Sequence, residues 1–209
     1  MAILVTGGAG YIGSHTVAEL LTQGEEVVVV DNLQTGHRAS VLGGTFYEAD
    51  IRDVAAMEQI FRKHDIEAVI HFAANSLVGE SVTKPLAYYD NNVYGSQRLM
   101  EVMVKHGVKN IVFSSTAAVY GEPERVPIDE HDQTKPTNPY GETKLTMEKM
   151  FRWGDQAYGI KSISLRYFNA AGAHPDGIIG EDHQPETHLI PVILQVPLGK
   201  REAIGIFGD

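Results

Sequence analysis

Cysteine is absent from the 209-residue chain, which excludes disulfides and thiolate metal centres. Long apolar runs are absent as well, so no stretch could cross a bilayer as a helix. Cations are few beside anions: 17 Lys and Arg against 27 Asp and Glu leave a net charge of −10. That balance argues against a nucleic-acid or anionic-membrane surface. No low-complexity segment occurs. Only Met1 precedes the first apolar run, which leaves no room for a signal peptide and makes the cytoplasm the expected location. What is present is ordinary for a globular domain: 43% hydrophobic and 21% charged residues. The length suits one sizeable domain with a real core.

The informative stretch lies near the N-terminus, at Thr6-Gly7-Gly8-Ala9-Gly10-Tyr11-Ile12-Gly13. Ahead of it, Ala2 to Val5 read as a buried strand. Behind it, Val17, Leu20 and Leu21 sit at helical spacing, with Ser14 and His15 expected on the other side. The glycines therefore occupy a tight strand-to-helix turn. Without side chains the backbone can approach a pyrophosphate, and the N–H groups and dipole of the next helix face the anion. Two glycine registers fit, Gly8/Gly10/Gly13 and Gly7/Gly10/Gly13. A second apolar run, Val27 to Val30, ends in Asp31, 18 residues after Gly13. An acid at that distance binds the adenosine ribose hydroxyls and repels a 2′-phosphate, so NAD is favoured over NADP.

Downstream, β-rich runs alternate with amphipathic segments, the pattern of a doubly wound, Rossmann-type α/β fold with a parallel sheet. Further strands are expected at Thr45–Asp50, Ala68–Phe72, Asn110–Ser114 and Ser162–Arg166. Helices are expected through Val54–Phe61, from near Asn92 through Met103, and from Asn138-Pro139, with Asn as N-cap and Pro at N1. Ligands of such sheets bind beyond the carboxyl ends of the strands. Those ends carry small and polar residues throughout. After Asn169 the pattern weakens into a loop rich in Gly, Pro and charge. His188 to Val196 then suggests a helix with Pro191 in its first turn, and Ala203 to Phe207 a strand starting just before Gly208-Asp209. The expected division is a dinucleotide-binding domain over 1–170 and the beginning of a smaller C-terminal substrate domain over 171–209.

Tyr140 and Lys144 stand four apart near a helix start, on one face. Tyrosine is a weak base at its reference pKa of ~10. A neighbouring ammonium, a helix N-terminus and a nicotinamide cation each favour the phenolate. Such a pair can take a proton from a sugar hydroxyl while the carbon gives up hydride. Thr116, at an earlier strand end, completes the expected catalytic set with Tyr140 and Lys144.

With these residues stand Asp50-Ile51-Arg52, His71-Phe72-Ala73-Ala74, Val78-Gly79-Glu80-Ser81, Tyr88-Tyr89-Asp90-Asn91-Asn92, Phe113-Ser114-Ser115-Thr116 and Leu165-Arg166-Tyr167-Phe168-Asn169, followed by Gly172-Ala173-His174-Pro175. Together they resemble the extended short-chain dehydrogenase/reductase family, and within it the members that interconvert UDP-galactose and UDP-glucose at C4. The resemblance implies an isomerase of carbohydrate metabolism working through a transient 4-keto sugar, cytoplasmic, and a homodimer when full length. It also implies residue roles. Gly7, Gly10, Tyr11, Ile12 and Gly13 would line the pyrophosphate. Asp31, Asn32, Leu33, Gln34, Thr35 and Gly36 would surround the adenosine ribose, and Asp50 and Ile51 would flank adenine. Phe72, Ala73, Ala74, Asn75 and Ser76 would line the cleft towards the nicotinamide. Asn91 would add a cofactor contact, Lys144 would bond the nicotinamide ribose, and Phe168 would touch the nicotinamide amide. Thr116 and Tyr140 would meet the sugar, and Asn169 and His188 the nucleotide diphosphate; the family usually carries Asn where His188 stands.

Related dehydratases carry an Asp-Glu pair just after the threonine. Here those positions are Ala117 and Ala118, so elimination lacks a local acid or base. Family members also continue past this point through segments that bind uracil and clamp the diphosphate. The chain is accordingly expected to be a C-terminally truncated member that binds NAD without measurable turnover on its own. His174, His183 and His188, with Glu181, Asp182 and Glu186, are ligand types, but their irregular spacing in a charged loop predicts solvated surface and no metal. The run Asp129 to Asp132 reads as a solvated loop, and Trp153 as a packing residue.

Overall fold

A computed structural model describes residues 1–206. Six parallel strands form one sheet: β1 (Ala2–Thr6), β2 (Glu26–Asp31), β3 (Thr45–Glu48), β4 (Ile66–His71), β5 (Asn110–Thr116) and β6 (Lys161–Tyr167). Their spatial order is β3-β2-β1-β4-β5-β6, the doubly wound order whose direction switches between β1 and β4. The helices are α1 (Tyr11–Thr22), α2 (Val54–Lys63), α3 (Val78–Thr83), α4 (Pro85–Tyr88), α5 (Gly95–His106), α6 (Pro139–Tyr158) and α7 (Leu189–Gln195).

Both sheet faces are covered over the central strands, which explains their unbroken apolar runs. Val28 and Val30 face one side with Leu4, Val69, Ile111 and Phe113, against Met57 and Ile60 of α2, Leu99 and Met103 of α5, and Phe151 of α6. Val27 and Val29 face the other side with Val5, against Val17 of α1. Asp53 caps α2 by accepting from Ala56 N–H, and Asn138 caps α6 by accepting from Gly141 N–H, with Pro139 in the first turn. Gly107 and Gly159 end α5 and α6 in the left-handed conformation.

Several expectations change. Ser14 is buried with Val17 rather than on the outer face of α1, because its hydroxyl is satisfied by Tyr11 C=O. The segment before α5 is a π-helical turn, Tyr89–Tyr94, and α5 itself starts at Gly95. Trp153 is 62% exposed on α6 and so is no packing residue. The expected helix after His188 forms with His188 as N-cap. Ala203 to Ile206 form no strand, since no described strand lies beside them to supply ladder bonds; Phe207, Gly208 and Asp209 lie outside the described residues.

Candidate active site

The glycine turn is built for close approach. Gly7 has φ +72°, and a Cβ there would stand 2.5 Å from Ala73 N. At Gly13 a Cβ would stand 2.1 Å from Gly7 O. Gly8 faces inward, where a Cβ would meet Val29 at 2.6 Å. The turn's path thus rests on Gly7 and Gly13, while Gly8 packs the core. Gly10 is the N-cap of α1, so the first N–H groups of α1 open above the turn. Ile12 lies in this first turn, partly buried.

Asp31 is buried and already organises its surroundings. One oxygen accepts from Ala9 N–H at 2.9 Å, the other from Leu33 N–H at 2.8 Å. Leu33 takes φ +56°, turning the chain back so that Gly36 packs on Ala9, where a Cβ would stand 2.8 Å from the Ala9 carbonyl carbon. Thr35 lines a small cavity of about 40 Å³ with Ala9, Gly10 and Tyr11. Asn32 donates to Asp50 at 3.0 Å, and Gln34 donates to Asn75 at 3.3 Å. Asp50 is gripped by Arg52 through two bonds, 2.9 and 2.6 Å, and these hold its carboxyl down at about 2. The Ile51 side chain is buried in the core against Gly95, so only its backbone can flank a ligand.

Across the switch point, Phe72 and Ala73 N–H both bond Thr6 C=O, and Ala74 continues the turn. Asn75 is locked by Asn92: Asn75 N–H donates to the Asn92 side chain at 2.8 Å, and that side chain donates back to Asn75 C=O at 3.0 Å and to Thr143 at 3.1 Å. Asn91 donates to the same Asn92 oxygen. Ser76 is exposed beyond this lock. Asn92 is fully buried and was invisible as a positioning group, since its partners lie 17 and 51 residues away. A second buried chain, Thr6–His71–Ser96, fixes β4 to α5 at 2.7 and 2.8 Å. Burial, then the nearby Lys144 charge, brings the His71 imidazole down to about 3.

Thr116, Tyr140 and Lys144 come together at the ends of β5 and α6. The Thr116 hydroxyl lies close enough to Tyr140 to act on its phenol. Burial pushes the Tyr140 phenol up, and the Thr116 hydroxyl pulls the other way. Lys144 is buried, donates to Ser114 C=O at 2.7 Å, and lies 5.8 Å from the Tyr140 ring centroid. Burial brings its ammonium down to about 7. Gly141 lets α6 start against Ala118, where a Cβ would stand 2.6 Å from the carbonyl oxygen. Arg166 pairs with Glu148 at 2.8 Å and bonds Tyr120; it braces β6 on α6 rather than forming part of the reaction centre.

Phe168 is 63% exposed at the end of β6, and Asn169 is exposed beside it. The loop after them returns over the glycine turn: Tyr11 hydroxyl donates to Gly172 C=O at 2.6 Å, and His37 lies 3.0 Å from Asp182 C=O. His188 turns its Nδ1 towards Glu181. The expected solvated surface fails at Glu181 and Glu186, whose side chains are 8% and 11% exposed. The irregular spacing hid their convergence with His183 and His188. Asp129 to His131 are exposed as expected, with Asp132 paired to Arg125.

The arrangement fits a dinucleotide. The glycine turn, packed backbone against backbone at Gly7 and Gly13, leads into a helix N-terminus, and the acid, amide and hydroxyl groups follow at successive strand ends.

Comparison with known proteins agrees with this geometry. Residues 3–209 match the model of the NAD dependent epimerase/dehydratase family. The chain is 65% identical over 209 residues to a UDP-glucose 4-epimerase of Halalkalibacterium halodurans, covering all of this chain and 63% of that protein. A crystal structure of a UDP-glucose 4-epimerase superposes with a TM-score of 0.98 at 58% identity, over 100% of this chain and 64% of that one. The enzyme from Bifidobacterium longum, solved in complex with NAD+ and UDP, gives 0.94 at 42% identity, over 100% and 66%. The chain thus spans about 63% of the length of the curated relatives it matches.

Proposed function

The chain belongs to the NAD dependent epimerase/dehydratase family, and from that premise we propose that it binds NAD and serves the interconversion of UDP-galactose and UDP-glucose at C4. The observation that carries this reading is the convergence of Thr116, Tyr140 and Lys144 beside a glycine cradle, with Ala117 and Ala118 where elimination chemistry needs acids. NAD, when bound, supplies reversible hydride exchange. Tyr140 oxygen takes the proton of the sugar 4-hydroxyl and later returns it to the 4-keto oxygen after the sugar has turned. Thr116 hydroxyl bonds the same oxygen and favours the phenolate. Lys144 would bond the nicotinamide ribose and, when charged, add to that bias. Gly7, Gly10 and Gly13 seat the pyrophosphate, and Asp31 receives the adenosine ribose. Residues 171–209 would contribute the first strip of substrate contacts, with Asn169 and His188 at the diphosphate. When full length, the protein would be a cytoplasmic homodimer; light scattering checks the dimer.

The test has two steps. Denaturing the purified protein should release NAD, or the protein should take it up in preference to NADP; an empty site indifferent to NAD refutes the cofactor assignment. UDP-galactose is then supplied and newly formed UDP-glucose is oxidised by an added dehydrogenase. In a full-length parent, Tyr140→Phe should keep NAD and lose turnover by ~10²–10⁴-fold, the scale of a general base. Near-normal turnover in that variant moves the base elsewhere. A different sugar product from UDP-galactose identifies another oxidoreductase of the family, and bound NAD with no product identifies a chain that binds without catalysing.

A further inference from the structure

Glu181, His183, Glu186 and His188 stand in the loop between β6 and α7, at sequence intervals of two, three and two. Each offers one ligand atom, and the four atoms all lie within 4.8 Å of one another. His183 Nδ1 is 3.3 Å from Glu181 Oε1 and 3.7 Å from Glu186 Oε2. His188 Nδ1 is 3.9 Å from Glu186 Oε1 and in direct contact with Glu181. Ligands held ~2.0–2.2 Å from a tetrahedral zinc ion are separated by roughly 3.4 Å. Three of the observed edges, at 3.3, 3.7 and 3.9 Å, are close to that figure, while the His188–Glu181 contact is shorter and must open for both to ligate one ion.

Two further observations point inward. His183 Nδ1 is shielded from solvent and has no hydrogen-bond partner. Both carboxylates are about nine-tenths buried, yet no Lys or Arg among the described residues forms an ion pair with either. Two buried carboxylates facing two imidazoles without a permanent cation are costly to desolvate. A divalent ion resolves this by using one atom from each residue. Outer support is in place, because Thr187 and His188 N–H both donate to Glu186 Oε1, at 2.8 and 2.9 Å. Two imidazoles exclude the oxygen-only preference of Ca²⁺ and Mg²⁺ and favour a first-row transition ion.

We propose that these four residues form a structural zinc site that fastens the loop over the glycine turn. The site touches that turn: the His183 ring stands edge-on to Tyr11, centroids 6.2 Å apart, and Asp182 C=O meets His37. His188 is also the N-cap residue of α7, so the ion would tie α7 to the cofactor end of the sheet. Ligation through Nδ1 leaves His188 Nε2 for a diphosphate. The rival arrangement is two protonated histidines paired with the two carboxylates and no metal.

The experiment uses the chain purified without a metal-affinity tag and dialysed against metal-free buffer. Zn²⁺ is titrated in competition with a chromophoric chelator, and Co²⁺ is titrated while visible absorption is followed. The expected result is one zinc per chain and the intense visible bands of four-coordinate Co²⁺. His183→Ala and Glu181→Gln should each bind at least ~100-fold more weakly, beyond the ~10–100-fold that outer partners contribute. Far-UV circular dichroism and retention of NAD show that each variant keeps its sheet. Zinc below ~0.1 per chain, weak six-coordinate Co²⁺ bands, or variants that bind as tightly as the parent would each overturn the site.

Discussion

One row of side chains crosses the sheet on a single face: Val29, Val5, Ile70, Val112 and Ile163, paired strand to strand. At the β2 and β1 end, Val29 and Val5 are 0% exposed beneath α1. At the β6 end, Ile163 is 61% exposed, with Leu165 beside it on the same strand face. Both ends carry the same residue type in the same pleat. What differs is whether a helix lies above, so a β-branched residue in a strand states only that its position suits a pleated surface.

The same contrast separates the body from the segment after Tyr167. Among the described residues, Ile179 is the one buried apolar side chain beyond Tyr167. The body is held by packed hydrocarbon and the later segment by polar contacts to the glycine turn. The sharpest way to test this is at the packed end. Phe151 lies in α6 against Phe113 and His71, ring centroids 5.1 and 6.4 Å apart. Phe151→Ala should cost ~3–5 kcal/mol in urea unfolding, and a loss under ~1 kcal/mol would show that the body is not governed by this core.

Lys144 probes the buried polar part of the body. An unfolded lysine titrates near ~10.4, whereas burial brings Lys144 to about 7. Between those values the unfolded chain keeps a proton that the folded chain has shed, so stability through this position rises with pH across that window. Below it both states are protonated and the burial cost is fully present. Lys144→Met should therefore be the more stable protein near ~pH 6, with its advantage shrinking as pH climbs from ~7 to ~10. Unfolding midpoints in parallel buffers decide it; an advantage that does not change with pH contradicts the assignment.

Smaller effects belong to the segment after Tyr167. Tyr11→Phe removes the bond to Gly172 C=O, worth ~1 kcal/mol. Amide exchange near Gly172 should quicken by ~5-fold while the body's slowest amides stay unchanged. An equal change in both regions would mean that the loop and the body open together. Smallest of all, Ile163→Thr should shift the unfolding free energy by less than ~0.5 kcal/mol. A core-sized loss there would mean that this end of the face is covered in solution.

Much of this was legible along the chain because the evidence was local. The central strands are apolar runs of the right length, and Asn138-Pro139 opens α6 through bonds confined to four residues. The glycine turn was readable because a positive φ at Gly7 and the missing Cβ atoms of Gly7 and Gly13 are properties of those residues themselves. Tyr140 and Lys144 needed only a helical period. Asn92 stands within the motif Tyr88-Tyr89-Asp90-Asn91-Asn92, but its work of clamping Asn75 and Thr143 has no local signature. Ile51 reads as a strand-end contact, and its side chain is instead core, because α5 presents Gly95 opposite it.

The sequence by itself determined the alternation of strands and helices, the path of the glycine turn and the pairing of Tyr140 with Lys144, since each is set by conformational preference within a few residues. Tertiary structure alone decided that Val29 is covered and Ile163 is not, that His71 is held neutral between Thr6 and Ser96, and that Glu181, His183, Glu186 and His188 share one centre. Burial depends on which distant segment arrives above a residue. Convergence depends on how a loop folds back on itself, which the spacing of its residues does not reveal.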